Sequence, residues 1–167
     1  ALLRAPWRSG VPQKPARTVL LDARVLQMPY VNGSKNHALA VTRALITAVP
    51  PEYSIAFLTS PVKPPLAEEI AALATTTWRP ALIGEVAIFV QLVTLMDGLE
   101  TSDGDLLRAP WIRRVSVFLD DIQGIYPEHY IGTSRAFWNH QLSIEILRSS
   151  HVVLSLGTCL LYTSDAA

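Results

Sequence analysis

One cysteine, Cys159, stands in 167 residues, so neither an internal disulfide nor a cysteine-built zinc site is open to this chain. Lysine plus arginine balance aspartate plus glutamate at 14 each. No basic surplus points to nucleic acid, and no acidic surplus points to a cation store. The longest apolar run, Val86 to Met96, is broken by Gln91 and Thr94. It falls well short of the ~20 residues a membrane span needs. The first residues hold Arg4, Pro6, Arg8, Pro12 and Pro15, which break up any secretory leader core, so a cytoplasmic protein is the expectation. Glycine-rich fingerprints of the G-x-G-x-x-G and P-loop kinds are missing, as is a G-x-S-x-G elbow. Those absences count against a dinucleotide oxidoreductase and an esterase.

What is present is apolar sequence in short, regularly spaced blocks. Half the residues are hydrophobic and 17% are charged, as in a domain with a buried core. Residues 1–17 are rich in proline and arginine and read as an extended lead-in. The domain proper is expected over 18–157. Residues 158–167 look like translated sequencing adapter and are set aside.

Within the domain, Thr18 to Ala23, Tyr53 to Leu58, Glu85 to Val93, Arg114 to Leu119 and His151 to Leu156 read as strands. Apolar residues near helical spacing fill 35–48, 66–73 and 133–148. In the last of these the expected buried stripe is Phe137, Trp138, Leu142, Ile146 and Leu147. Segments 97–104 and 120–132 read as loops, with a short helix starting at Asp105 to Leu107 and ending before Pro110. Apolar strands alternating with helices predict an α/β fold, a Rossmann-like, doubly wound parallel sheet with helices on both faces. Ligands in such sheets sit beyond the carboxyl ends of the strands, so the loops at 24–34, 59–65, 94–104 and 120–132 are the ones to inspect.

Asn32-Gly33-Ser34 precedes a helix, where Gly33 lets a ligand approach the backbone and free N–H groups attract phosphate. On spacing alone an ordinary turn, with Ser34 as the helix N-cap, explains the run better. Asp120 and Asp121 follow the fourth strand, where a carboxylate could orient a hydroxyl or act as a base. A hydrated loop pair is the stronger reading without context. A receiver domain would need its acidic pair after the first strand, where this chain has Asp22-Ala23-Arg24. In Tyr126-Pro127-Glu128-His129-Tyr130 the two tyrosines suit a sugar face and His129 suits proton transfer. A proline-fixed turn pinned by its tyrosines fits equally. Asp97, Glu100 and Asp103 form an acidic stretch without metal-ligand spacing.

Taken in order, several segments carry a resemblance. They are VLLDARVL (19–26), VNGSKNHALAVTRALITAVPPEYSIAFLTS (31–60), EVAIFVQLVTLMDGLETSDGD (85–105), VSVFLDDIQGIYPEHYI (115–131) and SSHVVLSLG (149–157). Together they resemble the N-terminal domain of GT-B glycosyltransferases of family 4, the mannosyltransferase-like group. The resemblance implies the acceptor-side half of a two-lobed retaining enzyme. A nucleotide-sugar donor would be held mainly by a second, C-terminal lobe, and the acceptor would be a glycan or lipid-linked glycan. No cofactor is implied. Gly33 and Ser34 would approach the donor diphosphate. Asp121 and His129 would be catalytic, and Asp120, Tyr126 and Tyr130 would line the acceptor. Peripheral contact with the inner face of a membrane is a family habit, although no basic amphipathic helix stands out here. The chain departs from the family pattern in reading Asn32-Gly33-Ser34-Lys35-Asn36 where Gly-Ile-Gly-Arg-Tyr is frequent. It also has Asp120-Asp121 where His-Asp is frequent, and Gln123 where a proline is usual. The other reading is a sugar- or partner-binding module of the same fold without chemistry.

Overall fold

The structure is a computed structural model, and it describes residues 16–93, 101–119 and 122–155. Its elements run β1 (Thr18–Asp22), α1 (Gly33–Ala48), β2 (Ser54–Leu58), α2 (Glu68–Ala71), a 3-10 helix (Pro80–Glu85), β3 (Val86–Gln91), α3 (Thr101–Arg108), β4 (Arg113–Phe118), α4 (Ile122–Ile125), α5 (Pro127–Tyr130), α6 (Ser134–Ser149) and β5 (Val152–Ser155). The five strands form one sheet in the order β2-β1-β3-β4-β5, every neighbouring pair parallel. Dropping the outermost strand from the Rossmann order 3-2-1-4-5-6 and renumbering gives this order. The α/β, doubly wound parallel sheet expected from the sequence is the fold.

Strand alternation sorts side chains onto two faces. Val19 and Leu21 of β1, Ile55 and Phe57 of β2 and Val90 of β3 pack with Ala38 of α1 and Ile70 of α2. Leu20, Ala56, Leu58 and Phe89 point the other way, onto Leu106 of α3 and the following Ala109 and Ile112. Both faces of β1 are therefore sealed, which is why its sequence is apolar throughout rather than alternating.

The cap of α1 is Asn32, two residues before the expected Ser34: Asn32 Oδ1 accepts the N–H of Lys35 at 2.8 Å, satisfying an otherwise orphan donor. α1 turns Leu39, Val41, Leu45 and Ile46 toward the sheet. Buried Thr42 hides its hydroxyl by donating to Ala38 O at 2.7 Å. The helix ends at Val49, whose extended backbone suits a residue before Pro50.

Several expectations shift. The helix expected over 66–73 contracts to the single turn of α2, and a 3-10 helix beginning at Pro80 precedes β3. Of the acidic stretch 97–104 expected to be a loop, 97–100 lie outside the described residues and the rest is helical, α3 starting at Thr101 rather than at the expected Asp105. Asp103 suits the positive start of a helix, and Leu106 anchors it on the sheet. The loop expected over 120–132 contains the short helices α4 and α5. The largest correction is α6. Of its expected buried stripe only Ile146 is buried, while Phe137 and Trp138 are 43% and 67% exposed. β5, expected as one of five apolar strands, is exposed along its whole length. The physical reason is position: β5 is the last strand of the sheet, paired only with β4 among the described residues, and Val152, Val153 and Leu154 are 47%, 46% and 42% exposed. Among the described residues no helix is long and apolar enough to cross a membrane.

Candidate functional site

Because all strands run the same way, β1, β2, β3 and β4 end on one rim at Asp22, Leu58, Gln91 and Phe118. Strand order reverses between β1 and β3, the place where an open α/β sheet offers a crevice. The chain leaving β1 builds this rim. Residues 21–28 are all buried. Ala23 N–H donates to Leu58 O at 2.9 Å, and Leu26 N–H returns to Ala23 O at 2.9 Å, coiling the segment into a tight turn. Val25, Leu26 and Met28 enter the core beside α1.

Arg24 faces two carboxylates. Its Nε and Nη2 donate to Asp22 at 2.8 and 2.5 Å, and its Nη1 donates to Asp103 of α3 at 2.8 Å. Asp22 and Asp103 are 6% and 2% exposed, so this is a buried ion network rather than a surface pair. Burial disfavours the guanidinium charge, but the hydrogen bonds and charges of Asp22 and Asp103 outweigh it, and the pKa of Arg24 is raised above the ordinary arginine range.

A polar row continues from this ion network. Asp22 is in register with Gln91, and Gln91 with Ser116. Ser116 donates its hydroxyl to Gln91 Oε1 at 3.2 Å and lies 2.7 Å from the Ser150 hydroxyl. Gln27 clamps the next loop. Its amide donates to Ser60 O at 3.1 Å and Pro64 O at 2.8 Å, and its oxygen accepts the Ser60 N–H at 2.7 Å. Lys35 reaches back to Met28 O at 2.5 Å, and Lys63 reaches Arg24 O at 3.4 Å.

The residues singled out from sequence fall as follows. Gly33 and Ser34 form the first turn of α1, with Gly33 exposed and Ser34 half-buried. Asp120 and Asp121 lie outside the described residues. Tyr126 is 52% exposed and immediately precedes α5, whose last residue is Tyr130. His129 is exposed, its Nε2 3.7 Å from Glu128 Oε1. α1 follows β1 and α5 follows β4, so the two groups stand on the same rim, their strands two sheet spacings or about 10 Å apart. Among the described residues no three histidine, cysteine, aspartate or glutamate side chains form a group able to hold a metal ion.

Sequence reasoning passed over Arg24, Gln27, Gln91 and Ser116. One signal was available. A charged Asp22-Ala23-Arg24 inside an otherwise apolar run has to bury its charges against each other and against a partner from elsewhere. Nothing in the spacing names Asp103 as that partner.

The geometry defines an α/β protein with a Rossmann-like parallel sheet and a buried polar row at its reversal point. No family model matches the chain, and no curated protein and no solved structure matches it either.

Proposed function

We propose that this chain is the N-terminal, acceptor-side half of a retaining glycosyltransferase of the GT-B type, moving a sugar from a nucleotide-sugar to a glycan or lipid-linked acceptor. A second lobe would hold most of the donor. The observation that carries the reading is the all-parallel sheet in the order β2-β1-β3-β4-β5, in which the segments with family resemblance belong to successive elements and their loops share one rim.

In this reading the two Arg24 carboxylates consume the only arginine at the end of β1, so donor phosphate charge is met at the start of α1 by Gly33, Ser34 and Lys35. The acceptor lies toward Asp120, Tyr126 and Tyr130. Exposed His129, with Glu128 beside it, and Asp121 are the groups to take or orient the proton of the acceptor hydroxyl.

The test is sugar transfer by the full-length protein carrying this chain, assayed against a panel of nucleotide-sugars with glycan and lipid-linked acceptors. Transfer with retained anomeric configuration is expected. His129→Ala and Asp121→Asn are each expected to lower kcat by roughly 10²-fold or more, the usual contribution of a general acid or base. Absence of turnover with every donor would sink the proposal. Sugar binding without turnover would instead favour a non-catalytic sugar- or partner-binding module. The exposed Phe137–Trp138 pair and the bare faces of β5 are the features that suit that second reading.

A further inference from the structure

We infer that Asn32 is a site of spontaneous deamidation, with water as the only co-reactant, and that the modification alters the charge of the rim at the start of α1. Asn32 is followed by Gly33, which has no Cβ to shield its backbone nitrogen. That nitrogen belongs to the first residue of α1, and no hydrogen bond from it occurs among the described residues. It is therefore available as a nucleophile. Gly33 is exposed, and a Cβ built on it would meet nothing within 4 Å, so solvent reaches the site. On the other side Tyr30 and Val31 are 56% and 74% exposed, leaving the preceding segment unpacked and able to rearrange.

The chemistry balances without another reagent. The Gly33 nitrogen attacks Asn32 Cγ, its proton passes to the departing amide nitrogen, and ammonia leaves as a cyclic imide forms. Water then opens the ring at either carbonyl, giving an aspartyl or an isoaspartyl residue at position 32. One feature of the fold restrains the first step. Asn32 holds an extended ψ of 176° and its Oδ1 is pinned by the Lys35 N–H, which keeps Cγ away from the attacking nitrogen. Ring closure waits for the first turn of α1 to fray, an opening that costs little at a helix end.

The products differ in consequence. The aspartyl form keeps an oxygen to cap Lys35 N–H and adds a negative charge beside Gly33 and Ser34. The isoaspartyl form lengthens the backbone and removes the cap. Weaker diphosphate binding after either change rests on the glycosyltransferase reading; the conversion itself does not.

Two internal controls are built in. Asn36 and Asn139 are each followed by histidine and lie inside α1 and α6, where the next amide is engaged in the helix. The purified protein is incubated at mildly alkaline pH and mapped by peptide mass spectrometry, with isoaspartate-specific methyl labelling to separate the isomers. Asn32 is expected to convert to both isomers while Asn36 and Asn139 stay intact. Gly33→Ala fits the open space and is expected to bring conversion at position 32 down to the level of Asn36. Conversion at Asn32 no faster than at the two controls would overturn the inference. So would conversion that Gly33→Ala leaves unchanged.

Discussion

Arg24 and Asp103 lie 79 residues apart in sequence, and their side chains meet at 2.8 Å under α3. This contact ties the turn after β1 to a helix on the face opposite α1. Removing Arg24 would leave two buried carboxylates without their cation, at a cost of about 3–5 kcal/mol. Denaturant unfolding of Arg24→Ala at neutral pH measures it. Asp22→Asn and Asp103→Asn are each expected to lose stability, since each weakens a charged hydrogen bond to Arg24. A double-mutant cycle on Arg24 and Asp103 should return a coupling of roughly 0.5–3 kcal/mol.

The pH dependence of that network has a definite sign. The guanidinium pKa is raised by its carboxylates beyond the ordinary arginine range. A group whose folded pKa is raised gives its full contribution below the unfolded pKa and loses it only as pH climbs through the folded one. Arg24 deprotonation therefore contributes no slope to stability between pH 5 and about 11, since arginine titrates only above ~12. Unfolding free energies of the parent and of Arg24→Met across the basic half of that range should run parallel. Curves that converge from pH 8 upward would mean that Arg24 loses its proton there.

Gln27→Ala should unfasten the loop after β2. Three hydrogen bonds to Ser60 and Pro64 disappear, and the buried Ser60 N–H loses its acceptor at a cost of about 1–3 kcal/mol. The checking measurement is amide exchange: the Ser60 N–H should lose its protection, while amides of β3 keep theirs.

Trp138→Ala and Phe137→Ala separate the sequence expectation from the structure. A core position would cost about 3–5 kcal/mol on truncation to alanine. The exposed, T-shaped pair, with centroids 5.4 Å apart, should cost no more than about 1 kcal/mol. Thermal unfolding of each variant decides between them.

Helix caps offer a further comparison. Asn32 and Thr133 cap the two 16-residue helices through Lys35 N–H and Ala136 N–H. Each alanine replacement should cost ~1 kcal/mol, whereas Asn32→Asp should be close to neutral, because a carboxylate caps as well and complements the helix start. Chemical denaturation of the three variants tests the ordering.

The parallel sheet was legible because burial of β1 on both faces demands runs such as Val19-Leu20-Leu21 without polar alternation. That a capped turn opens α1 was legible because it is local, decided by residues within one turn, although the cap is Asn32 rather than the expected Ser34. The misreading of α6 has the opposite origin. Phe137, Leu142 and Ile146 have helical spacing, but spacing says only that a stripe exists and not that the sheet extends beneath it. The site shows the same division. The Asn32-Gly33-Ser34 turn is visible in the sequence, whereas the Arg24 network depends on Asp103 arriving from a distant helix. Buried Gln91 was read as an interruption of an apolar run; its role follows from the register that sets it beside Ser116.

The bare flank at β5 has a mechanical consequence. His151 and Arg114 exchange backbone and ring contacts at its start, with His151 N–H on Arg114 O at 2.9 Å and Arg114 N–H on His151 Nδ1 at 3.1 Å. Beyond that clasp, among the described residues, the strand pairs only with β4. On warming, Val152 to Ser155 and the helix before them should therefore peel from the sheet as one unit, while β1 and β3, sealed on both faces, still hold. The molecule should melt from one side inward.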